Sequence, residues 1–143
     1  MHAHQIIVNR LQFQLMQAVV IPGKGQVVGP GAITVPPRTR LQPDILVHPD
    51  RYPVYSKWED IDEHWLAVEV LSRSSRVYDR EIKRDAYITL GVHEVWLVDR
   101  WSKEVEVSHS RGSGVIARDV LQWRVPDLAL SLEISLNIVF FGL

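Results

Sequence analysis

The chain has 143 residues, of which 46% are hydrophobic and 23% charged, and we expect one globular domain over residues 1–143. It contains no cysteine, which excludes disulfides and thiolate metal sites, and its formal net charge of −1 excludes the strong overall basicity typical of many nucleic-acid-binding proteins. No apolar stretch approaches the roughly 20 residues that span a bilayer, and the amino terminus lacks a signal-peptide pattern, so we expect a cytoplasmic protein without membrane contact.

The first elements in chain order are a helix and two short strands. Apolar residues recur at spacings of three and four over residues 4–19, which is typical of an amphipathic helix that packs on a sheet. Residues 21–31 contain two prolines and four glycines, and so many breakers predict a loop. Apolar runs at residues 32–35 and 44–48 predict strands, the second of which opens with Asp44.

The clearest prediction is a strand, helix and strand unit that follows a long polar loop at residues 49–64. Residues 65–71 form an apolar strand, after which four residues rich in serine favour the start of a helix. That helix should run to about Leu90, because Gly91 supplies a stop, and residues 93–99 then form another buried strand. Such a unit predicts a right-handed crossover between parallel strands.

The remainder of the chain carries weaker patterns. Alternation at residues 104–107 predicts a half-exposed edge strand, and two or three further strands are expected after it. The tail, residues 128–143, is apolar and is assigned either to the core or to a subunit contact.

Glu69 stands inside an apolar segment that otherwise predicts a buried strand. An isolated buried carboxylate is costly unless a cation or hydrogen bonds compensate it, so this residue is the best candidate for chemistry. Strand alternation places Glu69 on the face shared by Ala67 and Leu71. Magnesium uses one or two carboxylates, so Glu69 and Asp44 on neighbouring strands are sufficient for a metal site. Two alternatives stay open: Glu69 forms a structural pair or cap, and Asp44 bonds its own turn.

The helix after Glu69 presents a second group of candidates. Asp79, Lys83 and Tyr87 follow at intervals of four and share one face, so Asp79 is expected to hold Lys83. Lys83 would reach an attacking water or a phosphate, although a surface salt bridge is the alternative, and Tyr87 is assigned to the core. The adjoining stripe carries three guanidinium groups suited to phosphate contacts: Arg76, Arg80 and Arg84. His2 and His4 are close in sequence but have no third ligand, so no metal site is predicted there.

These residues resemble the PD-(D/E)XK nuclease superfamily and, within it, the large bacterial family of putative restriction endonucleases of unknown target. The resemblance extends over residues 4–107. It rests on an opening helix with His4, Ile7, Val8 and Leu11, on Pro43-Asp44, and on the segments Glu69-Val70-Leu71-Ser72, Tyr78-Asp79-Arg80, Lys83, Tyr87, Gly91-Val92 and Glu94-Val95-Trp96-Leu97-Val98-Asp99.

The resemblance implies an α/β fold with a restriction-endonuclease-like core, in which helices flank a central mixed β-sheet. It also implies a magnesium site at Asp44 and Glu69, with manganese as a substitute, and DNA as the partner. One departure is that the usual superfamily lysine, two residues after the acidic residue, is replaced by Leu71, so Lys83 must supply the positive charge. Family members also commonly have further residues before the first helix, so an amino-terminal extension is expected to be missing here.

The leading hypothesis is a magnesium-dependent endonuclease that hydrolyses DNA phosphodiester bonds and acts as a homodimer. Asp44 and Glu69 bind the metal, Lys83 positions or polarises the water, and three arginines hold phosphates: Arg76, Arg80 and Arg84. A noncatalytic nucleic-acid-binding or dimerisation module is the alternative from another class, and another metal-dependent hydrolase is a third possibility. Carboxylates of Asp44 and Glu69 far apart in the fold would exclude both enzyme hypotheses.

Overall fold

The computed structural model describes residues 2–35, 38–75, 77–126 and 128–143. Its first element, helix α1 (His2–Leu15), continues as a short π-helix over Met16–Val20. The apolar residues whose spacing predicts the helix are buried along one face of α1: Ile7, Val8, Leu11 and Leu15. The predicted amino-terminal helix is therefore confirmed, with its last turn in the π conformation.

Within the described residues, ten strands and two further helices follow α1. Before the long loop lie β1 (Gly25–Val28), β2 (Ile33–Val35), β3 (Thr39–Leu41) and β4 (Ile45–Pro49). The loop holds a 3-10 turn at Trp58–Asp60 and leads into β5 (Leu66–Val70), α2 (Val77–Thr89) and β6 (Glu94–Asp99). The rest of the chain forms β7 (Glu104–Ser110), β8 (Ser113–Ala117), β9 (Val120–Arg124), β10 (Ser131–Ser135) and α3 (Leu136–Phe140).

Six of the strands form one mixed sheet in the order β1-β4-β5-β6-β7-β8. Strands β5 and β6 are parallel and are joined by α2, whereas the other neighbours in the sheet are antiparallel. Two separate hairpins, β2 with β3 and β9 with β10, lie outside this sheet. The predicted α/β fold, a central mixed sheet flanked by helices in a single domain, is confirmed.

Strand β1 corrects the prediction that residues 21–31 form only a loop. Its four residues pair antiparallel with β4, from Gly25 opposite Pro49 to Val28 opposite Leu46. A Cβ on Gly25 would lie 2.8 Å from the carbonyl oxygen of His48 and from the Trp65 ring. Here glycine permits a close approach between strands, so it does not act as the breaker that its sequence context suggests.

Strand β7 corrects the prediction of an edge strand at residues 104–107. It lies between β6 and β8, with Val107 opposite Trp96 on one side and opposite Val115 on the other. The edge is instead β8, a strand whose serine, glycine and exposed apolar residues give little sequence signal. The expectation that two or three more strands follow residue 107 is confirmed by β8, β9 and β10.

The two faces of the sheet contribute to two hydrophobic clusters, and β5 alternates between them. Val68 and Val70 belong to the cluster that also contains α1 and α3 residues. Ala67 and Leu71 belong to the cluster that contains Tyr87 of α2. Glu69 lies between Val68 and Val70 in β5, and its carboxylate contacts Tyr87, so it points to the α2 face as the alternation predicts.

The apolar tail packs into the core through α3. Leu136, Val139 and Phe140 of this short helix are buried, and the guanidinium of Arg10 in α1 donates hydrogen bonds to the carbonyls of Val139 and Phe141 at 3.1 and 2.8 Å. The core assignment of the tail is therefore confirmed. Within the described ranges, none of the helices is long and apolar enough to cross a membrane.

Candidate active site

Asp44 and Glu69 come together at one end of the antiparallel pair β4 and β5. Ile45 lies opposite Val68, so the residue before Ile45 and the residue after Val68 occupy the same end of the ladder. The backbone N–H of Val70 donates a hydrogen bond to Oδ2 of Asp44 at 2.8 Å, which holds this carboxylate against the strand that carries Glu69. Both side chains line one cleft of about 530 Å³.

Glu69 is buried to 8% exposure, and its surroundings compensate its charge only in part. Burial raises the pKa of the Glu69 carboxyl, the negative charge of Asp44 raises it further, and the Tyr87 hydrogen bond and Lys83 oppose the rise. Lys83 Nζ lies 3.9 Å from Oε2 of Glu69. A carboxylate that is buried beside a second acid favours the arrival of another cation, because that cation would offset the remaining charge.

Tyr87 is a site contact that the sequence assigns only to the core. Its ring is buried in the α2 cluster, as expected, but its hydroxyl donates a hydrogen bond to Oε1 of Glu69. Burial and the Glu69 carboxylate raise the pKa of Tyr87, so the hydroxyl keeps its proton and remains a donor. The sequence feature that indicates this contact is the position of Tyr87 four residues after Lys83, on the same face of the predicted helix.

Lys83 corrects one expectation about this helix. Among the described residues, its ammonium pairs with Glu69 and forms no ion pair with Asp79. Both Lys83 and Asp79 line the cleft, as their shared helical face predicts. The Lys83 side chain is 57% exposed, so it can adjust its position at the mouth of the cleft.

The three predicted arginines do not form one group. Arg80 lines the cleft, with Nη1 3.6 Å from Oδ2 of Asp99. Arg84 is buried, and its guanidinium lies 3.0 Å from Asp85 and 3.4 Å from Glu106, apart from the cleft-lining residues. Arg76 lies outside the described residues. The expectation of a shared phosphate-facing stripe is therefore wrong for Arg84, because its charge is turned to two carboxylates in the fold.

His4 is a second contact that the sequence did not predict. Its Nε2 lies 3.3 Å from Oδ2 of Asp44, and the ring lines the cleft. The terminal position of His4 argued against a role, but α1 orders the residue and directs it to the first carboxylate. The sequence feature that indicates this contact is the histidine that opens the first helix in the nuclease family that the chain resembles.

The cleft offers oxygen ligands, which are the kind that magnesium prefers. Within the described ranges, no group of three or more histidine, aspartate or glutamate side chains is placed to hold one metal ion. A structural or catalytic zinc site requires at least three such ligands. Magnesium is commonly bound by one or two carboxylates, and waters and substrate phosphates complete its shell. Asp44 and Glu69 supply two carboxylates, and both line the same cleft.

Comparisons with known proteins agree with this fold. A family model described as "Uma2: Putative restriction endonuclease" matches residues 1–138. Among solved structures, the chain is similar to the crystal structure of a putative nuclease belonging to DUF820 from Anabaena variabilis ATCC 29413, with a TM-score of 0.76 and 15% sequence identity. That alignment covers 96% of this chain and 80% of the other, and at this identity it shows the fold alone. A search of curated proteins gives no significant match.

Proposed function

The chain belongs to the Uma2 family of putative restriction endonucleases, and we propose that it is a magnesium-dependent endonuclease that hydrolyses DNA phosphodiester bonds. One observation carries the proposal. Asp44, Glu69 and Lys83 line the same cleft, where a buried carboxylate, a second carboxylate and an exposed ammonium come together. These charges suit phosphodiester hydrolysis with a divalent ion, because the carboxylates can bind the ion and the ammonium can offset charge on the phosphate.

Asp44 and Glu69 are the residues that would hold magnesium, with manganese as a substitute. When bound, the ion supplies an activated water and offsets the charge that builds on the phosphate. The Val70 N–H and His4 hold the Asp44 carboxylate through one of its oxygens, Oδ2. Tyr87 likewise orients Glu69 through Oε1. Contacts of this kind fix the direction of a metal-binding carboxylate before the ion arrives.

Lys83 is proposed to position the attacking water or a phosphate oxygen. Its Nζ lies 3.9 Å from Oε2 of Glu69, close enough for attraction but too far for a tight hydrogen bond. The exposed side chain can therefore exchange this contact for one with the substrate. In the superfamily resemblance a lysine two residues after the acid has this role, and α2 brings Lys83 to Glu69 although Leu71 occupies that position.

Arg80 is the described arginine best placed to contact a substrate phosphate, because it lines the cleft beside Lys83. Arg76 is retained as a phosphate-binding candidate from its place in the sequence alone. Arg84 is omitted, since Asp85 and Glu106 already neutralise its buried guanidinium. The proposed DNA contact is therefore local, which is compatible with a net charge of −1 for the whole chain.

A homodimer is part of the proposal because one such cleft cuts one strand at a time. Two copies related by a two-fold axis would present two clefts to the two strands of a duplex. Plasmid cleavage distinguishes the two cases, since a monomer gives only nicked circles, whereas a dimer converts the nicked circles to linear product.

The proposal is tested by plasmid nicking with the wild type and an Asp44→Asn variant. Asparagine keeps an acceptor for the Val70 N–H but loses the charge that binds the ion, so we expect magnesium-dependent nicking by the wild type and at least about 100-fold less by the variant. Asp50→Asn is the matched control, because Asp50 is an exposed carboxylate that accepts a hydrogen bond from Gln26. Equal nicking by the wild type and Asp44→Asn would contradict the proposal, as would no nicking by the folded wild type.

A further inference from the structure

A second cavity of about 380 Å³ adjoins the Asp44 and Glu69 cleft. The two cavities share part of their walls: Leu71, Ser72, Ser75 and Arg80 line both. The second cavity adds Arg73 and Trp101, neither of which lines the first. A ligand bound at the carboxylates can therefore extend past Arg80 into a space that ends on a guanidinium and an indole ring.

Trp101 is held in place at the turn between β6 and β7. The backbone N–H groups of Trp101 and Ser102 donate to Oδ1 of Asp99 at 2.9 and 3.3 Å. The other carboxylate oxygen of Asp99 lies 3.6 Å from Arg80. One carboxylate thus ties the turn that carries Trp101 to an arginine of the cleft, while the indole stays 46% exposed.

Three guanidinium groups lie in or beside the cavity that holds this ring, and they outnumber the carboxylate of Asp99 that also lines it. The guanidinium carbon of Arg100 lies 4.7 Å from the centroid of the Trp101 ring, and Arg73 and Arg80 line the same cavity as the indole. An aromatic surface beside a basic groove is the arrangement by which proteins bind single-stranded nucleic acid, with bases stacked on the ring and phosphates on the charges.

We propose that Trp101 and Arg73 form a subsite that stacks one unpaired nucleobase of the strand whose phosphate occupies the cleft. The inference rests on the proposed nuclease function and narrows its substrate to nucleic acid with an unstacked nucleotide near the cut. A base in an intact duplex has both faces covered by its neighbours, so the indole can be reached only by a base that has left the stack.

The test compares binding of two fluorescein-labelled oligonucleotides without divalent metal, so that no cleavage occurs. These are a single strand and the same strand with abasic sites in its centre. We expect the wild type to bind the intact strand about 5-fold or more tightly than the abasic strand, because the phosphates are the same and only stacking differs. Trp101→Ala should remove that preference, and Trp101→Phe should retain most of it.

Two controls separate stacking from charge and from folding. Tyr55→Ala removes another exposed aromatic ring, one that lines neither cavity, and should leave the base preference unchanged. Arg73→Gln should weaken binding of the intact and the abasic strand alike. Far-ultraviolet circular dichroism confirms that each variant is folded.

A Trp101→Ala protein that keeps the preference for the intact strand would overturn the inference, as would a wild type without that preference. Magnesium-dependent cleavage of the plasmid and of the single strand by the wild type is measured in parallel and reports on the nuclease function alone. Cleavage of either substrate without base preference removes the subsite and keeps the nuclease. Base preference without cleavage of either substrate keeps the subsite and removes the nuclease.

Discussion

The charge of Glu69 destabilises the fold that carries it. Because burial raises the pKa of this carboxyl, the folded state holds the proton more tightly than the unfolded state does. Glu69 therefore favours the folded state most at low pH, where its carboxyl is protonated. This contribution to stability falls as the pH rises from the ordinary pKa of a glutamate toward the raised pKa of Glu69. A carboxylate retained at such a cost is typical of a site that binds a cation.

Tyr87→Phe is expected to weaken magnesium binding about 10-fold, the effect typical of removing a contact that orients a metal ligand. The hydroxyl donates to Oε1 of Glu69 and opposes the rise of its pKa, so its loss leaves the carboxylate less oriented and harder to ionise. Calorimetric titration with magnesium measures the change. Tyr78→Phe on the exposed side of the same helix is the control. Equal affinities for Tyr87→Phe and the control would show that the hydroxyl does not support the site.

His64 should make stability depend on pH. Burial, with a smaller effect from nearby His48, lowers the pKa of His64 to about 4. A histidine in the unfolded chain titrates near pH 6.5, so between pH 6.5 and pH 4 the folded state binds fewer protons than the unfolded state. The free energy of unfolding is therefore highest above pH 6.5 and falls as the pH is lowered through this range. Between pH 7 and pH 5 the wild type should lose roughly 2 kcal/mol more than a His64→Leu variant.

Urea unfolding at the two pH values measures this difference. His2→Leu removes an exposed histidine and should keep the pH dependence of the wild type. If His64→Leu and the wild type lose equal stability between pH 7 and pH 5, the folded protein accommodates a protonated His64 and the assignment is wrong.

At the scale of elements, α2 assembles the site by helical spacing. Lys83 and Tyr87 are one turn apart, and each contacts a different oxygen of Glu69. The helix ends cleanly beside the next strand, because Gly91 adopts a φ of +91° and the N–H of Val92 bonds the carbonyl of Tyr87 at 3.1 Å. Tyr87 therefore lies in the last turn of α2, close to the point where this bond ends the helix.

Lys83→Ala should lower the rate of cleavage roughly 10- to 100-fold while magnesium affinity changes little, because the ammonium acts on water or phosphate and is not a ligand. Single-turnover cleavage and calorimetric titration are the two measurements. Lys24→Ala removes a lysine that does not line the cleft and should have no effect on either quantity. Unchanged cleavage by Lys83→Ala would exclude the idea that a helix lysine replaces the usual strand lysine.

The elements predicted best are those with a strong periodic signal. The strand that holds Glu69, the helix that holds Lys83 and the strand that follows them are found where apolar periodicity and a glycine stop place them. The sequence does not predict strand β1, because Gly25 there permits close packing against Trp65, a residue far along the chain. The sequence does not predict the contacts of His4 with Asp44 and of Arg84 with Glu106 for the same reason, since each joins distant parts of the chain.

At the scale of the whole molecule, the six-stranded sheet separates the site from most of the core. The larger hydrophobic cluster draws on α1, α3 and the β9 and β10 hairpin. The smaller cluster contains Tyr87 and lies next to the cleft. The site can therefore hold buried charge on one face of the sheet while stability comes chiefly from apolar packing on the other.

Strand β5 pairs with the antiparallel strand β4 on one side and with the parallel strand β6 on the other, and this arrangement brings distant residues together. Asp44 directly precedes the antiparallel neighbour β4, and Leu97 of the parallel neighbour β6 lies opposite Glu69 and lines the cleft. The sequence predicts both strands and their carboxylates, but only the assembled sheet places the carboxylates at the same end. Arg80 and Trp101 then continue the cleft beyond that end of the sheet.

The central claim is that Glu69 and Asp44 form a magnesium site, and it is tested most directly by calorimetric titration of the wild type and Glu69→Gln with magnesium. Plasmid nicking is followed in the same samples. We predict that the wild type binds the ion and nicks DNA, whereas Glu69→Gln does neither and is at least as stable to urea, because a buried charge has been removed. A folded wild type that binds no magnesium would contradict the account and favour a noncatalytic nucleic-acid-binding or dimerisation module.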